Sequence, residues 1–422
     1  MAPPKPGSGG FIVTREMREI LAQPGYLKTR KGGQKLKELY RTQSCSFRAT
    51  LLNEFAMRCY FADLTYVKTA VVSGDAPDLT GTETPFEFSY ATIVVAGAQR
   101  VATIDGSPMH HYDVLKFLLS VGAPPDVPDI VGSTALHHAT MNNNAKLDLA
   151  RLLLENGASP NCQDRSGCVP LFGAMQSNQV GAVELLMEFG ADVNIPDADG
   201  IVPESVCLRW GPQVTAALQK WIRKRNGTEA PMEEKKCDYC GKEGESVKLK
   251  RCAACRATWY CSTVCQRAHW KAHMATCRPF SACNTITLTP SYYCDQTVMP
   301  LAALMRNLTG ISSEEPKCTD ANAVIPKPTM QARSMVIKVQ APWNVVACCP
   351  VRSPETPLMV YNKKRDFVCW VDRKSDPEAY DRIEDVVRKR GVGGAKGYFP
   401  AELVNPGKLV VKVDQILAEQ PF

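Results

Sequence analysis

The chain has 422 residues, of which 45% are hydrophobic and 22% are charged, and its formal net charge is +7. This length and composition indicate two or three globular domains and exclude a wholly disordered chain. No run of about eighteen apolar residues occurs, so a membrane-spanning helix is not expected.

The first residues, MAPPKPGSGG, are rich in proline and glycine. A secretory signal would need an apolar stretch here, so residues 1–13 are predicted to form a disordered tail. Of the 18 cysteines, eleven lie scattered outside one short cluster, and Cys348 and Cys349 are neighbours. This pattern is no disulfide framework and favours a reducing compartment, the cytoplasm and/or the nucleus.

Residues 14–227 contain a repeat. Gly-Ala pairs begin at Gly122, Gly157 and Gly190, in steps of 35 and 33 residues, and each follows an apolar helical pattern such as LARLLLENGA. Further glycines keep the same steps, at Gly132, Gly167 and Gly200. Less regular copies of the same repeat occur at 63–79 and 84–98. The period and the stretch TALHHA resemble ankyrin repeats, which implies an all-α solenoid with a turn-bracing role for His137. Residues 14–60 and 208–227 are predicted to be helical caps.

After a short linker (228–236), residues 237–277 gather seven cysteines and two histidines. The spacing is two C-x2-C pairs, then C-x3-C and H-x3-C. These eight ligands suffice for two tetrahedral zinc ions with no open position. By spacing alone, the ligands could pair sequentially or in an interleaved order, and His269 could replace His273. The stretch TVCQRAHWKAHMATC lacks glycine and proline, so we expect a helix with ligands on one face.

The whole window, and WYCSTVCQRAHWKAH above all, resembles the MYND-type zinc finger. That resemblance implies two interleaved structural sites, in which zinc replaces a core that so short a segment cannot build. One set is Cys237, Cys240, Cys261 and Cys265, and the other is Cys252, Cys255, His273 and Cys277. A RING finger fits less well, because RING fingers place a histidine close after the third cysteine, whereas Ala253 and Ala254 follow Cys252.

MYND fingers are generally peptide-binding modules, often for short proline-containing segments. The resemblance implies that Gln266 and Trp270 line the groove, although Trp270 could instead pack the finger's small core. Ten Lys and Arg residues face three acids over 235–278. Because seven zinc-bound thiolates offset much of this excess, it favours protein partners over nucleic acid.

Beyond the finger, residues 278–334 are predicted to be an irregular linker with one short helix, MPLAALMRNL. The last segment, 335–422, has β-rich runs such as SMVIKVQ and DFVCWVD and a helix at DPEAYDRIEDVVRKRG. We expect a small α/β or α+β domain of unknown role.

These observations predict a multidomain zinc-binding adaptor or scaffold that binds proteins through both modules. No catalytic constellation is found, so the chain is expected not to be an enzyme. One alternative is a chromatin-associated transcriptional regulator. Another is a SET-type lysine methyltransferase, since some of those enzymes contain a MYND finger. The N-H-S-C motif of SET domains is absent, and SACNTIT (281–287) is a poor substitute.

Overall fold

The computed structural model describes residues 7–102, 109–142, 144–292, 297–298, 301–309, 319–320, 324, 332–344, 349–351, 356–420 and 422. The chain forms two compact units, with the boundary between Trp210 and Gly211. Within the described ranges, every helix is too short or too polar to cross a bilayer.

Unit 1 is helical in its described part. Its helices are α1 (Arg15–Leu21), α2 (Gly33–Ser44), α3 (Glu54–Tyr60), α4 (Leu64–Ser73), α5 (Tyr90–Arg100), α6 (His111–Ser120), α7 (Ala135–Thr140), α8 (Leu147–Glu155), α9 (Pro170–Gln176), α10 (Val180–Glu188) and α11 (Pro203–Val206). From α3 to α10 they form four consecutive pairs. The first helices of successive pairs contact one another, as do the second helices, so each pair covers the apolar side of the next.

The glycines of the repeat end the helices and allow neighbouring hairpins to approach. Gly122, Gly157 and Gly190 all have positive φ, which a residue with a side chain rarely adopts. At Gly132 an added Cβ would lie 2.9 Å from the backbone nitrogen of Arg165. Because that space is free, the Arg165 N–H donates to the Val131 carbonyl at 2.8 Å and joins two hairpins.

His137 braces a turn of the repeat, as the resemblance to ankyrin repeats implies. Its Nδ1 accepts from the Thr134 N–H at 3.1 Å, which completes a capping box at the start of α7. Its Nε2 lies 3.2 Å from the Cys168 carbonyl oxygen of the next repeat. One buried side chain therefore stabilises both its own helix and the contact between repeats.

Part of the predicted N-terminal tail is ordered. Residues 1–6 lie outside the described residues, but Phe11 is buried and stacks on Phe86 with ring centroids 4.4 Å apart. The Gly9 N–H donates to the Leu51 carbonyl at 3.1 Å. The prediction of disorder for 7–13 is therefore wrong. Composition alone did not indicate that Phe11 packs into an apolar pocket of the folded chain.

The segment that follows, α1 and α2, lies against the hairpins of the repeats. The Arg165 guanidinium donates to the carbonyls of Leu21 and Gly25, and the Leu27 N–H donates to the Arg165 carbonyl at 2.7 Å. Tyr26 donates through its hydroxyl to the Gln163 side chain at 2.9 Å. These contacts join residues about 140 positions apart in sequence.

Unit 2 contains α12 (Pro212–Arg225), α13 (Thr263–Thr276), α14 (Leu301–Leu308) and α15 (Pro377–Arg390). Its strands are β1 (Lys250–Arg251), β2 (Trp259–Tyr260), β3 (Thr285–Leu288), β4 (Thr297–Val298), β5 (Thr319–Asp320), β6 (Arg333–Gln340), β7 (Trp343–Asn344), β8 (Cys349–Pro350), β9 (Leu358–Asn362), β10 (Val368–Val371), β11 (Lys396–Asn405) and β12 (Lys408–Lys412). The helix α12, predicted as a cap of the repeats, thus lies in the second unit.

Six of these strands form one sheet in the order β10-β9-β6-β11-β12-β3, and every neighbouring pair is antiparallel. With α15 against it, this domain is α+β rather than α/β. The described residues of the predicted linker 278–334 include β3, which pairs with β12, so this stretch is not wholly irregular. The predicted short helix there is present as α14.

Both faces of the sheet are covered. Ile337, Phe399 and Ile383 belong to one completely buried cluster between the sheet and α15. The helix begins at Asp376, whose carboxylate accepts from the Ala379 N–H at 3.0 Å. Because strand residues alternate between faces, Tyr398 projects from the opposite face to its neighbour Phe399.

Candidate metal centre

The helix α13 places three of the predicted ligands. It begins at Ser262, whose hydroxyl accepts from the Cys265 N–H at 3.2 Å, and it runs for 14 residues without glycine or proline. Cys265 lies in its first turn, His273 lies two turns later, and Cys277 follows its last residue. His273 is the buried residue of this helix.

A two-stranded ribbon places the ligands of the second C-x2-C pair. Arg251 in β1 pairs with Trp259 in β2, so Cys252 and Cys255 lie in the turn between the strands. The Cys252 N–H donates to the Thr258 carbonyl at 2.9 Å and closes this turn. Cys261 follows β2 directly. The ribbon therefore supplies one ligand pair from its turn and a further cysteine from its end.

The first ligand cluster is Cys237, Cys240, Cys261 and Cys265, with all four sulfur atoms within 4.8 Å of one another. The Sγ of Cys261 lies 3.5 Å from that of Cys240 and 3.4 Å from that of Cys265. Two sulfurs bound to one tetrahedral zinc at about 2.3 Å would be about 3.8 Å apart. The four cysteines therefore fit one zinc ion.

The second cluster is Cys252, Cys255, His273 and Cys277, again with ligand atoms within 4.8 Å of one another. The Cys255 Sγ lies 3.6 Å from the His273 Nε2. On the other side of the ring, Nδ1 lies 3.4 Å from the Thr258 hydroxyl, which orients the imidazole as an outer partner of a metal ligand does. Three of the four ligands are buried, so water has little access to this site.

Backbone N–H groups lower the pKa of one thiol, which favours the thiolate that a metal cation binds. Burial by itself would raise the pKa of Cys237, but N–H groups of Cys240, Cys261 and Tyr239 outweigh it and lower that pKa to about 6. Cys261 shows the opposite effect, because hydrogen bonds with the Cys265 and Cys240 thiols raise its pKa to about 12. A divalent cation among these sulfurs would favour four thiolates.

The structure decides the order in which the ligands pair and which histidine is a ligand, both of which spacing alone left open. The clusters take alternate ligand pairs along the chain, so the interleaved order implied by the resemblance is confirmed over the sequential one. His273 belongs to a cluster, whereas the Nδ1 of His269 lies 3.2 Å from the Tyr260 hydroxyl. Together the two closed sets fit two structural zinc ions, with no position left for an activated water.

Comparison with known families agrees with this geometry. A model of ankyrin repeats, in three copies, matches residues 106–197, and a MYND finger model matches residues 237–277. The chain has an ankyrin-plus-MYND architecture. It therefore contains a zinc-binding module of a kind that mediates protein interactions, joined to repeats that do the same.

Curated relatives match short stretches. The Tudor domain-containing protein 1 of Homo sapiens is 45% identical over 49 residues, which are 12% of this chain and 4% of that protein. The histone-lysine N-methyltransferase ASHR1 of Arabidopsis thaliana is 42% identical over 66 residues, 16% of this chain and 12% of that protein. The neurogenic locus Notch protein of Drosophila melanogaster is 37% identical over 75 residues, 18% of this chain and 3% of that protein.

The chain thus spans about an eighth or less of the length of each of these relatives. The relatives whose names combine SET and MYND domains match the MYND region alone.

The predicted peptide-binding residues lie on α13 of the MYND finger. Gln266 and Trp270 are one turn apart and therefore share a face of the helix. Trp270 is 45% exposed, and its ring centroid lies 6.3 Å from that of His273. The indole thus packs on the finger with one side and faces outward with the other. Its role in binding stays a prediction.

Sequence reasoning missed that the MYND finger shares a hydrophobic cluster with the C-terminal sheet. The buried residues of this cluster include Cys252 and Tyr260 of the finger together with Tyr398 and Leu417. An ion pair of 3.3 Å between Arg256 and Glu402 lies at the same boundary. The sequence contains no signal for this contact, because the partners are more than a hundred residues apart.

Proposed function

We propose that this chain is an adaptor that holds partner proteins on two surfaces, a peptide groove on the MYND finger and a face of the ankyrin repeats. The observation that carries the proposal is the exposed indole of Trp270 on a helix that two zinc sites hold in place. Large exposed aromatic side chains are characteristic of surfaces that a partner covers.

The surroundings of Trp270 support a groove. Met274, one turn further along α13, is 58% exposed, and Tyr239 at the start of the finger is 54% exposed. The Tyr239 ring centroid lies 6.1 Å from that of His269. Among the described residues, the side-chain amide of Gln266 has no hydrogen-bond partner, so it can bond to a peptide backbone.

A proline-containing peptide suits such a site. It is already extended before it binds, so docking costs little conformational entropy, and its rings pack on flat aromatic side chains. The amide of Gln266 would supply the polar contact that sets the register, while Trp270 would supply the apolar contact area. Zinc acts here through the fold, because it holds α13 and performs no chemistry.

The ankyrin repeats are the second surface of the proposed adaptor. Stacked repeats offer an extended face suited to a folded partner. The predicted linker 228–236 is packed within unit 2, where the Ala418 N–H donates to the Pro231 carbonyl at 2.8 Å and Met232 packs against the hydrophobic cluster of the finger. Because both modules belong to one chain, a target that binds both of them meets the second site at a raised local concentration.

The test is a pull-down from cells with the full chain as bait, comparing wild type with Gln266→Ala combined with Trp270→Ala. Loss of a defined set of partners is expected, while zinc content and circular dichroism stay at wild-type values. A groove built from other residues would leave the set of partners unchanged and would contradict the proposal.

The matched control is Val264→Ala combined with Lys271→Ala. Both positions are exposed, and at about 100° per residue they lie about 100° or more around α13 from Trp270 and about 140° or more from Gln266. This control removes side chains from the same helix, so it should retain the partners. If it loses the same partners as the groove variant, the effect belongs to the helix as a whole.

The proposal includes no catalytic step, and it locates the chain in the cytoplasm or nucleus, in keeping with described cysteines that form no disulfide. Two measurements separate it from the alternatives. Salt-dependent binding to duplex DNA would favour a chromatin-associated regulator. Saturable binding of S-adenosylmethionine would favour a methyltransferase.

A further inference from the structure

Unit 1 contains a partly open cavity that the proposed function does not use. It has a volume of about 350 Å³ and lies between α2 on one side and residues of α5, α7 and α9 on the other. Leu36, Tyr40 and Ser44 line it from α2, and the buried rings of Phe88 and Phe172 line it from the repeats.

Specific contacts hold α2 in place over this cavity. The Tyr40 hydroxyl donates to the Asp129 carboxylate at 2.6 Å, and Asp129 is completely buried in its side chain. The other oxygen of Asp129 accepts from the N–H groups of Val131 and Ser133 at 2.9 Å each. The cavity is therefore bounded by a helix that is anchored to the repeats and is not a gap beside a loose segment.

The charges around the cavity are mostly positive. Lys37, Arg41, Arg100 and Arg165 line it, against the single carboxylate of Asp164. One oxygen of that carboxylate already accepts from two backbone N–H groups of its own hairpin. The cavity thus combines an apolar floor with an excess of cations at its edge.

Arg100 is the cation best placed to meet a ligand. It is exposed, and its guanidinium lies 5.3 Å from the ring centroid of Phe47, which orients it. Within the described part of the chain it forms no ion pair. An anion reaching the cavity would therefore meet a donor whose geometry matches a carboxylate or sulfonate.

We propose that this cavity binds a small organic anion, a carboxylate or sulfonate carried on an apolar ring system or short chain. The apolar part would lie on Phe88 and Phe172, and the anionic group would face Arg100. The volume is at the lower end of the range for small-molecule pockets and too small for a folded partner. This site is separate from the peptide groove of the finger.

The experiment titrates the full-length protein with anilinonaphthalene sulfonate, whose fluorescence rises in an apolar site. One saturable site per chain is expected. The neutral phenylnaphthylamine has the same rings without the sulfonate, and it should bind at least about tenfold more weakly because it forms no charge-assisted hydrogen bond.

Two variants locate the site. Arg100→Gln should weaken sulfonate binding about tenfold, whereas Arg30→Gln, an exposed arginine of the same unit outside the cavity, should leave it unchanged. Ser44→Trp fills the cavity without changing its charge and should abolish binding, with an unfolding midpoint close to wild type.

Three outcomes would overturn the proposal. The neutral probe could bind as tightly as the anion, which would indicate a purely apolar site. Arg100→Gln and Arg30→Gln could behave alike, which would locate the anion elsewhere. Finally, Ser44→Trp could fold normally and bind the sulfonate as wild type does, which would exclude the cavity.

Discussion

In the ankyrin repeats, the side chains that join the helix pairs are aliphatic and completely buried, as at Leu115, Leu153 and Leu186. In the MYND finger, by contrast, the most deeply buried groups include the metal ligands Cys237 and Cys252. The repeats gain stability each time one pair covers another, while the finger has too little apolar surface to do so. The comparison shows that one chain can depend on two unrelated sources of stability.

The largest expected effect is on the stability of the finger, and it distinguishes zinc binding from apolar packing as a source of stability. Cys252→Ala should unfold the finger, because structural zinc in such small sites contributes about 10–16 kcal/mol of binding free energy that becomes folding free energy. Elemental analysis should find fewer than two zinc ions per chain, while the far-ultraviolet signal of the repeats remains. Cys59→Ala is the control, since Cys59 is equally buried but lies in unit 1. Two tightly held zinc ions in Cys252→Ala would refute the assignment.

A smaller effect tests whether the finger also depends on the sheet. Tyr398→Ala and Phe399→Ala each remove a completely buried ring and should each cost about 3–5 kcal/mol of unfolding free energy. Only Tyr398 contacts the cluster that contains the finger's cysteines. Zinc transfer to a chelator should therefore accelerate in Tyr398→Ala and not in Phe399→Ala. Equal rates in the two variants would mean that the finger is independent of the sheet.

For the repeats, Leu153→Ala should lower the free energy of unfolding by about 2–5 kcal/mol, because it leaves a cavity where two helix pairs meet. Denaturant unfolding of unit 1 measures this loss, and zinc content should stay at two ions. Leu147→Ala, at a 41% exposed position of the same helix, should change stability far less. A loss of zinc in Leu153→Ala would show that the two sources of stability are linked.

The smallest effect concerns pH. Burial lowers the pKa of both His137 and His111, so the folded repeats hold these rings neutral. The unfolded chain takes up protons once the pH falls below about 6.5, and stability should fall with it. His137→Gln keeps a capping-box side chain but cannot titrate, so it should flatten the pH dependence between about pH 7 and 5. A wild-type slope in His137→Gln, measured by denaturant unfolding at each pH, would contradict this prediction.

What the sequence could predict follows from how far apart the interacting residues are. The glycine steps and the C-x2-C pairs are local signals, so the repeats and the zinc ligands were predictable from spacing. The pairing of β3 with β12 joins Leu288 to Leu409. A local sequence pattern cannot predict this pairing, because the two residues are far apart in the chain. The same holds for Phe11, whose burial depends on Phe86. The interleaved ligand order needed the resemblance to a known finger as well as spacing.

The contacts of Arg165 have a consequence for any protein that targets the hairpins of the repeats. Residues 21–27 already occupy hydrogen-bonding positions there, tethered in the same molecule. A protein that binds these hairpins must displace residues 21–27 or bind after they have dissociated. Its apparent affinity is then the intrinsic affinity multiplied by the fraction of molecules in which residues 21–27 have dissociated from the hairpins. Proteins that approach a side of the repeats away from residues 21–27 do not compete with this segment.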